Sequence, residues 1–208
     1  MRGLRSCWHI TGKNKESRQK NEKERMVKTV AHLLTFWLFP RHVRVWTRKR
    51  IVLFVYGIPV HMRAKKVGKF LCCNGPVRAT HHTELGDHVH FNGMWASGNG
   101  RIVIGSWFHS GDGLRIFTRN HNYDKGNAIP YDKTYVTKDV VIGDFVWIGS
   151  QVILLPGTKI GEGAIIQAGS VVHGEIPPYA IAGGNPAKVF AQRDVEHFNR
   201  LKAAGKFH

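Results

Sequence analysis

The chain is short of cysteine and of acidic residues, and it has no long apolar run. Its 208 residues include three cysteines, Cys7, Cys72 and Cys73. An odd number without a C-x-x-C pair argues against a disulfide framework and against a zinc ribbon, and it suits a reducing cytoplasm. The longest apolar run, Ala31–Phe39, is nine residues and is interrupted by His32 and Thr35. A bilayer-spanning helix needs about 20, so no segment here reads as one. Residues 1–25 lack the apolar centre of a secretory signal. Acidic residues number 14 against 31 Lys+Arg, which leaves a net charge of +17. Such an excess first suggests nucleic acid or an anionic membrane.

The excess is not evenly spread. Residues 1–50 carry 14 basic and three acidic side chains, and so account for most of it. Within them, residues 1–25 have few large apolar side chains and read as a disordered basic tail, with Met26 an alternative start. Residues 26–66 form a second, amphipathic and basic segment. Val27, Val30, Ala31, Leu34 and Leu38 recur at helical spacing over 26–46, and Arg41, Arg44 and Arg48 follow Pro40. Two readings fit: a helix lying on an anionic membrane, or a helix packed on the domain or a neighbouring subunit. Nucleic acid is disfavoured, because no recognised motif and no alternation of aromatic and basic residues occurs in the later repeat.

At 42% hydrophobic the chain can bury a core, and its second half shows how. Ile142, Ile148, Leu154, Ile160, Ile166 and Val172 stand at every sixth position. Small or β-branched residues precede each by two: Val140, Val146, Val152, Thr158, Ala164 and Ser170. Gly143, Gly149 and Gly161 directly follow three of them. A period of six fits neither a helix nor a plain strand. It predicts short strands separated by turns, three to a coil, with the sixth-position aliphatics inside a narrow prism. The glycines fall where a side chain would strike the next coil. A rougher series continues it upstream through Val67, Cys73, Ala79, Leu85 and Phe91, then Ile104, Ser110 and Ile116, so about five coils are expected over 67–190. A polar, aromatic insertion at 117–139 breaks the series, and such loops on rigid scaffolds carry function. Pro177 and Pro178 end the repeat, and Asp194 reads as the N-cap of a short helix within 191–208 that covers the open end or docks on a neighbour.

Three stretches carry a family resemblance: NHNYDKGNAIPYDKTY at 120–135, VVIGDFVWIGSQVILLPGTKIGEGAIIQAGSVV at 140–172, and IPPYAIAGGNPAKVF at 176–190. Together they make about 67–190 resemble the hexapeptide-repeat acyltransferases, especially the maltose/galactoside O-acetyltransferase, xenobiotic and polysaccharide-modifying branches. The resemblance implies an all-β core, a left-handed parallel β-helix, in a homotrimer with sites between subunits. It further implies acetyl-CoA as co-substrate, no metal, and a sugar or glycan-intermediate hydroxyl as acceptor in cell-surface polysaccharide synthesis or modification; the cysteine usage suits a cytoplasmic enzyme, and the basic segment suits peripheral contact with the inner membrane face.

Acyl transfer to a hydroxyl needs a base, donors for the oxyanion and a groove for the carrier. His121 matches the family's catalytic histidine, and a neutral imidazole can take the hydroxyl proton and pass it to the leaving thiolate. Asn92 matches an active-site asparagine; its other reading is a turn residue before Gly93. By the same resemblance, Trp147 and Ser150 wall the pantetheine arm, while Ala168 and His173 touch the carrier. The family often has Thr-Lys where His173-Gly174 stands, so one cationic contact is missing. Lys188 matches a basic residue at the nucleotide end, where a lone lysine is otherwise solvated surface. Trp147 alternatively only covers a coil. Other users of the fold fit worse. A carbonic anhydrase needs an H-x₄-H pair, and no two of the 13 histidines are so spaced. A nucleotidyltransferase needs a nucleotide-binding domain that residues 1–66 are too short to form. The rival of a different class is a non-catalytic β-helix that serves assembly or membrane binding.

Overall fold

The computed structural model describes residues 24–30, 51 and 55–208. Residues 24–30 are helical. The rest of the segment expected to be an amphipathic helix, with Arg41, Arg44 and Arg48, lies outside the described residues, as do residues 1–23. Residues 56–208 are a separate compact unit.

That unit is a coil of short strands that visits three sheets in turn. One sheet stacks Thr83–Leu85, Ile102–Ile104, Val140–Ile142, Lys159–Ile160 and Glu175–Ile176. The next stacks Cys72–Cys73, His90–Phe91, His109–Ser110, Trp147–Ile148, Ile165–Ile166 and Ala180–Gly184, then adds Ala187–Gln192 antiparallel at its end. The third stacks Val77–Arg78, Met94–Ser97, Leu114–Phe117, Ile153–Leu154 and Val171–Val172. Within each sheet the coil-to-coil pairs are parallel, as in Val141 with Lys159 and Trp147 with Ile165. This is the expected left-handed parallel β-helix. Five coils cross all three sheets, and Ala180–Gly184 begins a partial sixth.

The register explains the period of six. Ile142, Ile148, Leu154, Ile160, Ile166 and Val172 are all at most 3% exposed, and so are the residues two before them, apart from Ser170 and Thr158 being polar members at 0%. Each strand therefore sends two side chains inward, because alternate residues share a face. Where the pattern is rougher, size is exchanged between the two positions. Phe108 is fully buried and large, and its partner Ser110 is small. Thr158 satisfies its buried hydroxyl on the Leu155 and Val172 carbonyls.

The corner between the first two sheets turns through left-handed backbone. Phe70, His88, Trp107, Phe145 and Tyr179 all have φ between 55° and 62°, joined by Gly163 at 67°. Their amides continue one ladder, with Trp107 N donating to Asp87 O at 2.9 Å and Phe145 N to Ser106 O at 2.8 Å. Non-glycine residues lose about 1–2 kcal/mol in this conformation. Stacking along the edge offsets it: His88 lies 3.8 Å from Trp107, nearly coplanar, and 4.6 Å from Phe70. At Gly163 the column lacks a ring, and Phe198 of the C-terminal helix Val195–Ala203 takes its place. A Cβ there would sit 3.1 Å from the Phe198 ring. Asp194 caps that helix by accepting from His197 N at 2.8 Å, and Lys202 pairs with Glu162. The helix thus docks on the aromatic corner through Phe198 and, beyond it, Phe207.

Candidate active site

The insertion leaves the coil after Leu114–Phe117 and returns at Val140, on the corner between the third and first sheets. Its base is an antiparallel hairpin of Arg119–His121 with Tyr135–Thr137. Pairing sets His121 opposite Tyr135. The imidazole is stacked on Tyr131 at 3.8 Å and tilted against Tyr135 at 4.7 Å. Its Nδ1 is buried without a hydrogen-bond partner. An unsatisfied buried polar atom is costly.

Asp132 organises the outer loop. Its carboxylate accepts from Asn127 N at 2.9 Å and from Thr134 N at 2.8 Å, and also from the Thr134 hydroxyl. The Thr134 hydroxyl, then these amides, hold the Asp132 carboxyl below its ordinary range. Its contribution is therefore complete above the unfolded carboxylate value and is lost as pH falls through the depressed one. Asp132→Ala should lower protection of the Asn127 and Thr134 amides by about 10–100-fold. Hydrogen exchange by NMR would check this, with wild type showing the same loss in acid.

Asn92 lies on a different corner, between the second and third sheets. Its Oδ1 accepts from Asn74 at 2.9 Å, and its Nδ2 donates to Ser110 O at 2.9 Å, which leaves one N–H for a ligand. Ser150 and Ala168 follow along this same corner in the later coils. The spacing is tight: a Cβ on Gly111 would meet Ser150 N at 2.5 Å, and one on Gly149 would meet Ala168 N at 2.5 Å. Trp147 projects from the adjoining sheet, 54% exposed, in register with His109. It lines a cavity of about 370 Å³ shared with Trp107, Phe145, Phe198 and Phe207. Burial pushes the His109 imidazole down from its ordinary value. Lys188 pairs with Gly183 on the terminal antiparallel strand, near the same end. His173 follows Val171–Val172 and so sits on the insertion's corner instead.

The candidates thus divide between two edges of the third sheet. Asn92, Ser150 and Ala168 occupy one, His121 and His173 the other. Sequence reasoning missed three groups. Tyr131 and Tyr135, which clasp His121, lay inside a quoted motif, but only the hairpin register shows their role. Asp112 was also overlooked; the Ser150 hydroxyl, then the Gln151 amide, hold its carboxyl below the usual range. The third is a set of arginines near the hairpin. Among the described residues, no group of three or more His, Cys, Asp or Glu is arranged to hold a metal ion.

Residues 139–174 match the bacterial transferase hexapeptide (six repeats) family. That stretch holds the sixth-position series from Ile142 to Val172. The chain is 36% identical over 109 residues to a chloramphenicol acetyltransferase of Klebsiella aerogenes, covering 45% of this chain and 52% of that one. The chain therefore spans about half the length of such relatives. A maltose O-acetyltransferase from Clostridium difficile 630 is similar in structure, with a TM-score of 0.54 and 26% identity over 85% of this chain and 89% of that one. A hexapeptide-repeat-containing acetyltransferase from Vibrio cholerae O1 biovar eltor, complexed with acetyl coenzyme A, shares the fold at TM-score 0.53. Its identity is 22%, over 82% and 87% of the two chains. The hexapeptide-repeat relatives are acetyltransferases.

Proposed function

We propose that this hexapeptide-repeat protein is an acetyl-CoA-dependent O-acetyltransferase acting on a sugar hydroxyl, in the synthesis or modification of cell-surface polysaccharide. The observation that carries the reading is the His121 imidazole, clasped by two tyrosines on the insertion with its Nδ1 buried and unpartnered. A histidine so held has a fixed ring plane, as a general base requires. His121 takes the proton of the acceptor hydroxyl as its oxygen attacks the thioester carbonyl. The carbon–sulfur bond then breaks, and the proton goes to the departing thiolate. The remaining N–H of Asn92 serves the oxyanion or the acceptor. Trp147, Ser150 and Ala168 form the wall of the carrier groove, and His173 and Lys188 lie toward its nucleotide end.

The division of these residues between two edges supports a homotrimer, in which the His121 edge of one subunit faces the Asn92 edge of the next. The basic segment around Arg41, Arg44 and Arg48 supports a cytoplasmic enzyme resting on the inner membrane face.

The test is release of free thiol from acetyl-CoA by the purified chain, with nucleotide sugars, simple glycosides, lipid-linked sugars and chloramphenicol as acceptors. Release well above hydrolysis with a sugar is the expected result. Release with chloramphenicol alone would move the acceptor to the xenobiotic class. No release with any of them, and no binding of coenzyme A by calorimetry, would overturn the enzyme in favour of a non-catalytic β-helix.

A further inference from the structure

A second cavity, of about 270 Å³, opens on the insertion's corner in the first coils. Its cationic wall consists of Arg63, Arg78 and Arg119, with His81 and His82 beside them. No aspartate or glutamate lines it. The nearest acid in sequence, Glu84, is occupied elsewhere: the Arg101 fork at 3.0 Å and Lys65 at 3.0 Å hold its carboxyl down at about 2. Among the described residues, none of the three cavity guanidiniums has a carboxylate within ion-pair distance. Three permanent positive charges facing one space repel one another unless an anion joins them.

Two of the three are already held in place. Arg78 ends the strand Val77–Arg78, and its guanidinium lies over Trp95 at 5.7 Å. Arg119 lies over Tyr135 at 4.4 Å. Ring stacking leaves the guanidinium edges and their N–H donors directed outward, so little ordering is left for a ligand to impose. The floor is open because Gly98 has φ +109°, where a Cβ would strike the Thr118 hydroxyl. Ser97 and Asn99 add neutral hydrogen-bonding groups at the rim.

The cavity is also tied to the candidate base. Arg119 and His121 are alternate residues of one strand and so share a face. Both touch the Tyr135 ring. An anion held by Arg119 and Arg78 therefore sits one side chain away from His121. By contrast Ser150 and Ala168, of the proposed carrier wall, occupy the other edge of the third sheet, and Trp147 stands on the adjoining second sheet.

We infer that Arg63, Arg78 and Arg119 form a subsite for the phosphate or diphosphate ester of a sugar acceptor, which anchors it with a sugar hydroxyl toward His121. Guanidinium forks match phosphate oxygens in pairs, and three of them exceed what a single carboxylate can use. The assignment of this ligand as an acceptor rests on the acetyl-transfer reading above. A nucleotide sugar and a lipid-linked one both present the same ester to the arginines.

The test reads binding and turnover separately. UDP-glucose, a water-soluble short-prenyl diphosphate glucose and methyl glucoside are titrated calorimetrically into the full chain and into the Arg78→Gln/Arg119→Gln variant. Both diphosphates should bind wild type at least about tenfold more tightly than methyl glucoside, and the variant should lose about 10–100-fold for both. Thiol release with one diphosphate and not the other then identifies which of the two sources the subsite serves. Equal affinity of the charged and neutral sugars, or an unchanged variant, would overturn the subsite. So would 3′,5′-ADP displacing UDP-glucose, which would give the arginines to the coenzyme. Intact binding without thiol release upholds the subsite and overturns the transfer reading alone. If the double variant loses its melting transition, Arg63→Gln, outside the coils, repeats the comparison.

Discussion

Replacing His121 with alanine should lower kcat for acetyl transfer by about 10²–10⁴, the usual contribution of a positioned general base. The fold should be unaffected. His121 sits on a hairpin outside the prism, and no coil places its side chain in the core. Removal of the imidazole also removes a buried, unsatisfied nitrogen, so the melting temperature should hold or rise slightly. Coenzyme affinity should hold too, because the proposed carrier wall stands on another edge. The measurement is single-turnover thiol release beside thermal melting and calorimetry with coenzyme A. Near-wild-type turnover in the variant would remove His121 from the mechanism, whatever the fold does.

Gly149→Val should damage both the coil and the carrier groove. A Cβ at this position meets Ala168 N at 2.5 Å and Ala168 Cα at 2.8 Å, both backbone or near-backbone atoms of the next coil. Flexible side chains could move aside; a ladder cannot, since Gly149 N donates to Ile166 O at 2.8 Å and Gly169 N to Ser150 O at 2.8 Å. Overpacking of a tight interior costs typically about 1–3 kcal/mol, and more where backbone must part. The same displacement shifts Ser150 and Ala168, so coenzyme affinity should fall with stability. Gly57→Ala is the control. Gly57 lies in the helix that ends at Arg63, has nothing within 4 Å of its Cβ direction, and should gain up to about 1 kcal/mol from reduced unfolded-state entropy. Thermal melting and calorimetry of the two variants separate crowding from a general intolerance of side chains at glycine.

These glycines show what was legible beforehand. Gly143, Gly149 and Gly161 each follow an inward aliphatic, and the sequence pattern alone pointed to close coil-to-coil approach there; Gly86 and Gly105 stand in the same place, after Leu85 and Ile104, in the rougher coils. The structure bears this out: Cβ atoms at Gly86 and Gly143 would lie 2.7 and 2.8 Å from backbone nitrogens of the following coil. The inward sixth-position series was equally readable, because a repeat stacks identical environments and its period survives local substitution. Other features were not readable. The corner column of Phe70, His88, Trp107, Phe145 and Tyr179 has no sequence signal, since aromatics at positive φ run against intrinsic preference and are stabilised only by one another. The docking of Phe198 into the space at Gly163 depends on that column and was equally hidden.

The candidate site divides in the same way. His121 was singled out by its motif, and motif residues are legible because they are adjacent in sequence. The clasp of Tyr131 and Tyr135 around it needed the hairpin register. Arg63, Arg78 and Arg119 are scattered over 57 positions, and no pattern of spacing could have grouped them. The sequence by itself determined the coil and its inward residues, because both rest on a short period, and it singled out His121 through a contiguous motif. Only the tertiary structure decided which edge each site residue occupies and where the surplus positive charge gathers. Stacking coils brings residues about 18 positions apart side by side, and electrostatics acts across that distance in space rather than along the chain.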